Sequence, residues 1–353
     1  MRINPFQDKA AQHRTGVERS GGRRTCGPTN PPDNGWGWRR ARVGLVAGVG
    51  AMGLLLAACG SSTGSTSGSP KTVVFSSPSL SIAQMKSMAS SLKTEARADG
   101  WKVVSQDPNA DAQEQARQLS AVVSSGSAGA LFIVAISPSS LRQVVRDAQA
   151  KGIPVVTTAT PADYGFDGPQ PGITFDAIDY KAYGEAVGRE LGTCINEKLG
   201  GKAEVVWGLP VVGSGGKEEM EKAQKSALQA TAPKAKIVTE IASSTLQAAQ
   251  TDVGNALQGH PHANAVLASV DEVGLGAISA FASAGKKLPC LADAGGNPQT
   301  VAATKQGKIY ATVALQFQPD VAQCFNALVA MRSDKKQTGK QLHVPQKVIK
   351  ADK

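Results

Sequence analysis

From Lys71 onward, short apolar runs alternate with longer stretches in which apolar positions recur every three or four residues. "TVVFSS" precedes "IAQMKSMASSLKTEARADG", "WKVVSQ" precedes "ADAQEQARQLSAVVSSG", "ALFIVAI" precedes "SSLRQVVRDAQAKG", and "IPVVTTA" follows. Apolar runs without alternation suit strands buried on both faces, and the spacing between them is helical. The repeated unit is βαβ, which predicts a parallel sheet covered by helices. The rhythm stops at the Pro/Gly-rich "TPADYGFDGPQPG" and resumes at "ITFDA". A second series then runs from "YKAYGEAVGRELGTCINEKLG" through "KAEVVWGLP", "AKIVTEIA" and "NAVLASV" to "LPCLADA". The pattern predicts an α/β protein of two doubly wound parallel-sheet lobes, with a hinge near Phe175 to Tyr180. Open sheets of this kind bind ligands beyond the carboxyl ends of their strands. The expected site is the cleft between the lobes.

The chain before Lys71 follows other rules. Val43 to Ala58 is apolar and uncharged and is preceded by "RRAR", the parts of an export signal. The run falls short of the about 20 residues that span a bilayer. "LAAC" resembles the lipobox of bacterial lipoproteins, which implies cleavage before Cys59 and a diacylglyceryl group on its thiol. Two acyl chains anchor stably where one is marginal. "GSSTGSTSGSP" reads as a flexible tether. Residues 1–58 are therefore expected to be a leader and 59–70 the lipidated cysteine with its tether, holding the protein to the outer face of the cell membrane.

The formal charge of +10 first suggests an acidic partner. Nine Lys and Arg against three acids fall within residues 1–58, leaving +4 for the remainder, so nucleic-acid binding loses its main support. After Cys59 only Cys194, Cys290 and Cys324 remain. In an exported protein they allow one disulfide and one thiol, with the pairing left open. Their apolar surroundings suit small buried thiols better than a nucleophile. There is no GxSxG elbow, and no carboxylate pair stands out for acid–base work. "HPH" at His260 and His262 lacks a Cys or acid at zinc spacing. "VVGSGGKEE" fails the phosphate-loop order because Lys217 comes late. A binding protein without metal or cofactor is expected, and an enzyme is not.

Several phrases carry a resemblance. "GIPVVTT" (152–158), "GHPHANAVLAS" (259–269), "VDEVGLGAISAFASAGK" (270–286) and "GKIYATVALQ" (307–316) resemble segments of the ribose-type periplasmic binding proteins, the type 1 solute-binding family of ABC importers. The resemblance implies an N-lobe of 71–177 with 316–341, a C-lobe of 178–315 with 342–353, and three hinge strands. It implies a small polar solute, carbohydrate or sugar-like, and a membrane permease as partner. A sensory receptor of the same fold, or a receptor for a nucleoside or aromatic acid, stays open.

The pocket departs from the family pattern. The loop after the first strand, "SSPSLSIAQM", holds no aromatic; the family's Asp-Arg pair aligns with Ala159 and Thr160; its Asn before "DE" is Val270; its turn Asp aligns with Gly295, with Asp293 two positions away. The candidate ligand residues are Ser76, Ser79 and Gln84 in and after the first loop, Ser137, and Thr158 with Thr160. Serines before a helix can hold hydroxyls or anions, although helix capping competes for them. Tyr164 and Phe166 either supply a stacking wall or seal their loop onto its own lobe. Asp176 is either a ligand contact or a hinge residue. Ser214 and Lys217 as secondary contacts, with Asp271, Asp293, Asn297 and Gln316, complete the set; Asp271 either caps its helix or contacts solute. Trp207 is expected in the core.

Overall fold

The computed structural model describes residues 70–210, 215–334 and 336–351. Cys59 and Ser214, the expected lipidation point and one expected solute contact, lie outside them. The first sheet contains β1 (Thr72–Ser76), β2 (Lys102–Gln106), β3 (Ala130–Ile133), β4 (Val155–Thr158), β5 (Ile173–Ala177) and β11 (Gln341–His343) in the order β11-β5-β4-β3-β1-β2, all parallel. The second contains β6 (Glu204–Gly208), β7 (Lys236–Ile241), β8 (Ala265–Ala268), β9 (Cys290–Gly295), β10 (Ala311–Leu315) and β12 (Gln346–Lys350) in the order β12-β10-β9-β8-β6-β7. Only β12 runs antiparallel to its neighbour.

Burial follows strand position. Central β3 and β8 are buried throughout, while the edge strands β2 and β7 expose Lys102 and Lys236. Edge lysines discourage pairing with another chain. The helices are α1 (Ala83–Ala98), α2 (Ala112–Ser125), α3 (Arg142–Ala150), α4 (Tyr180–Leu199), α5 (Lys217–Thr231), α6 (Leu246–Gly259), α7 (Asp271–Ser283), α8 (Pro298–Lys305) and α9 (Phe317–Ser333). Their ends are written locally. Asp111 caps α2 by accepting from Gln113 and Glu114 N–H, and Gly126, at φ +66°, ends it. A left-handed stop of this kind favours glycine, which has no Cβ to clash.

Each sheet carries an apolar layer on both faces. In the first, Phe75 and Phe132 meet edge to face at 5.5 Å, and Trp101 meets Phe325 of α9 at 6.1 Å. In the second, α4 and α5 lie close together. A Cβ on Gly184 would stand 2.5 Å from the Met220 carbonyl, and one on Gly188 2.3 Å from that of Gln224. Cys194 of α4 is bridged to Cys290 of β9 across 96 residues, leaving Cys324 as the free buried thiol among the described residues. That resolves the pairing the sequence left open.

The chain passes between the sheets after β5, after β10 and after β11. The last passage falls at 344–345, just beyond the 341/342 boundary that the resemblance implies. All three depart from carboxyl strand ends, so the two sheets turn those edges toward the same junction. Adjacent passages are hydrogen-bonded: Val344 N–H donates to the Ala177 carbonyl at 3.0 Å and Gln316 N–H to that of Pro345 at 2.8 Å. α9 follows a strand of the second sheet yet packs with α1 on the first.

Candidate functional site

On the first sheet the carboxyl edge is organised by a buried amide. Gln115 Nε2 donates to Ser76 Oγ at 3.2 Å and to the Val134 carbonyl at 2.9 Å, while its Oε1 accepts from Ile136 N–H at 2.9 Å. Ser76 is thereby committed inside the fold, fully buried, and so is Ser77 beside it. Ser79 pairs with Ser81 at 2.9 Å. The serines of this loop do not cap α1: Ile82 occupies the N-cap position without a side-chain bond, and Gln84 is half-buried in the first turn. Ser137 is shared with Ser139 and Ser140 at 3.1 and 3.2 Å.

Beyond β4, Thr158 Oγ1 accepts from Ala135 N–H at 3.0 Å. Ala159 then adopts φ +86°, a conformation that costs a residue with a Cβ and recurs where function constrains the backbone. Thr160 donates from N–H and Oγ1 to Asp163 Oδ2 at 2.9 and 2.6 Å, folding 161–164 into a single turn. The turn drops Tyr164 into the core, fully buried, with its hydroxyl bonded to Thr157 and to the Thr158 carbonyl. Burial holds this phenol well above its ordinary pKa. Phe166 packs on Phe175 under the Arg146 guanidinium, 4.9 Å from the ring centroid. For Tyr164, a fully buried core residue, the geometry selects sealing and the stacking role is withdrawn; Phe166 packs onto its own lobe while staying half-buried.

On the second sheet Asp271, Asp293 and Asn297 converge. Asp271 opens α7, and its carboxylate accepts from Gly296 N–H at 2.9 Å and Asn297 N–H at 3.3 Å. Asn297 caps α8 through Thr300 N–H at 2.8 Å. Asp293 is fully buried beneath α7; burial first, then the charge of Asp271, pushes its carboxyl well above the usual range. Two glycines make the room. A Cβ on Gly295 would lie 2.2 Å from Asp271 Cγ, and one on Gly274 2.5 Å from Asp293 Oδ1. The departure from the family at Gly295 is thus the space that Asp271 fills. Trp207, as expected, is core, its indole N–H donating to Gln224 Oε1 at 3.0 Å.

At the junction, Gln316 donates to the Pro345 and Ala314 carbonyls. Asp176 is buried against Asp320 and Cys324 of α9. Gln115, Gln224 and Asp320 were not singled out from the sequence, yet a shared signal marks them. Each is a polar residue on the buried stripe of its helix: Gln115 before Leu119 and Val123, Gln224 between Met220 and Leu228, Asp320 before Cys324 and Leu328. A polar side chain at i, i+4 spacing with core residues must find a partner there.

A profile of the periplasmic binding protein domain matches residues 73–336, and the chain belongs to that family. Its members are solute receptors and not enzymes. The ribose import binding protein of Bacillus subtilis (strain 168) is 31% identical over 255 residues, 71% of this chain and 79% of that one. The xylitol-binding protein of Mycolicibacterium smegmatis is 25% identical over 281 residues, covering 77% and 75% of the two chains. The fold matches that of an ABC transporter periplasmic solute-binding protein from Actinobacillus succinogenes with bound D-allose, at TM-score 0.66 and 17% identity, over 80% of this chain and 97% of that one.

Proposed function

We propose that this chain is the extracytoplasmic receptor of an ABC importer, lipid-anchored at Cys59, that captures a sugar or polyol between its two lobes and presents it to a membrane permease. The observation that carries the reading is the 31% identity to a ribose import binding protein, which extends over 255 residues and so is not confined to one lobe. The second relative, named for xylitol, widens the class from sugars to acyclic polyols. The lipobox-like "LAAC" and the Gly/Ser tract support the anchor.

Capture needs no covalent step. A solute bonded to both carboxyl edges stabilises the closed arrangement, and only this differential affinity moves the equilibrium. A permease that distinguishes the two states then couples capture to transport. The hydroxyls and amides at those edges, Ser79, Gln84, Ser137, Thr160, Asn297 and Gln316 among them, together with the Asp271 carboxylate, suit a neutral polyhydroxy solute with many donors and acceptors.

The test is a thermal-shift screen of the purified protein against D-ribose, D-allose, xylitol, myo-inositol, nucleosides and amino acids. A solute present at a hundred times its Kd adds about 2.7 kcal/mol of stability, a clear rise in Tm. Hits among sugars and polyols are expected; hits confined to nucleosides or amino acids would overturn the solute class.

A further inference from the structure

One buried cluster stands at the root of all three passages between the sheets. Asp176 is next to last in β5 and leads into the first. Asp320, in the first turn of α9, follows the second. Gln323 Nε2 donates to Asp320 Oδ1 at 2.7 Å and to the carbonyl of His343, where the third begins, at 2.9 Å. Asp176 and Asp320 are 2% and 1% exposed, and an oxygen of each converges with the Cys324 sulfur within 4.8 Å. Asp176 Oδ1 and Asp320 Oδ2 meet no donor. Two ionised carboxylates so placed offer each other only acceptors in a site closed to water. A single proton converts that opposition into a charge-assisted O–H···O⁻ bond.

We propose that Asp176 and Asp320 share one proton and act together as a positioning node that fixes the roots of the three passages, making the orientation of the lobes depend on pH. Only the consequence for solute capture rests on the receptor reading. Burial first, then the charge of Asp320, pushes Asp176 up to about 8; burial also raises Asp320, and Asp176 is the donor. The groups facing the pair are few. α9 brings Gln323 and Cys324, whose thiol burial and the two acids hold neutral. β11 brings Leu342 and the His343 carbonyl, with the His343 side chain exposed. β4 sets Thr158 beside Asp176, its hydroxyl accepting from Ala135. Among the described residues no ion pair reaches either acid.

Between the usual carboxylate range and about pH 8, the folded chain holds a proton that the unfolded chain has released. The node therefore holds below about pH 8, down to the pH at which Asp320 also takes a proton, and is lost as pH rises through about 8, when the shared proton leaves to solvent and two charges face each other. The test uses spin labels, one on each lobe, and reads the interlobe distance of the ligand-free protein well below and well above pH 8. The wild type is expected to shift or broaden at the higher pH. Asp320→Asn keeps a donor facing Asp176 but has no proton to share, and its distribution is expected to be the same at both. A pH-independent wild type, or a variant that keeps the wild-type response, would overturn the proposal. Carboxyl 13C NMR needs no variant: one aspartate titrating near pH 8 is expected, and its absence is equally fatal. Neither EDTA nor added Zn2+ should alter these readouts; a zinc-dependent distance would reassign the cluster to metal. No sugar enters any of these measurements, so a failed solute screen leaves the outcome readable.

Discussion

Replacing both Cys194 and Cys290 with alanine is expected to lower the stability of the ligand-free protein by about 4–5 kcal/mol. The bridge closes a loop of 96 residues. For loops near that size the chain-entropy argument gives about 4.7 kcal/mol, because the unbridged chain regains conformations that the bridged one is denied. The bond also ties α4 to β9, two elements the topology places far apart in sequence, with both cysteines fully buried in one apolar cluster. In a protein of this size the loss lowers Tm on the order of 10 °C. Urea titration of the double variant checks it, with Cys324→Ala as the control that removes a thiol without cutting a link. A transition unmoved by the double substitution would mean that the two sulfurs are not bridged.

Adding one methyl group is expected to act with opposite sign at two helical glycines. At Gly254 of α6 a Cβ meets nothing within 4 Å, so Gly254→Ala gains helix propensity alone, up to about 1 kcal/mol. At Gly188 of α4 the same Cβ would lie 2.3 Å from the Gln224 carbonyl and 3.1 Å from Ala227 Cβ. The propensity gain is the same there, but α4 and α5 must separate along their length, and overpacking of this kind costs 1–3 kcal/mol or more. Gly188→Ala should therefore lose up to about 2 kcal/mol overall once the propensity gain is set against the overpacking cost. Parallel denaturant titrations read both. Equal gains at the two sites would refute the close approach of the helices.

These glycines show where sequence reading reached and where it stopped. Strand and helix order was legible because both-face burial writes continuous apolar runs, and β3 and β8 carry them without interruption. Gly184, Gly188 and Gly192 recur every fourth residue and so face one way, but a small-residue row says only that something comes close, not what. The short strands β11 and β12 set Leu342 and the pair Val348–Ile349 among Gln, Lys and His, too short an apolar run to stand out, since each adds only an edge to a finished sheet. Nothing in the residues of α9 themselves announces that it returns to the first sheet after a strand of the second; only the family resemblance, which implies 316–341 in the N-lobe, points there.

In the site, Tyr164 was ambiguous because a Pro/Gly-rich stretch reads as surface loop. The Thr160–Asp163 turn, a bond between residues three apart, is what carries the ring inward. Gln115 and Asp320 were overlooked for the opposite reason. A lone polar residue on an apolar helix face looks like an irregularity until the buried groups it serves, Ser76 and Asp176, are seen opposite it. The departures from the family pattern were legible as departures, and one of them has a physical complement: glycine at 295 admits the carboxylate of Asp271.

Capture requires a solute to draw the two lobes together, a change that small-angle scattering reads. The profile is recorded for the protein alone and at saturation with whichever solute raises its melting temperature most. Capture by closure predicts a smaller radius of gyration in the loaded protein. An unchanged profile at full occupancy would contradict it.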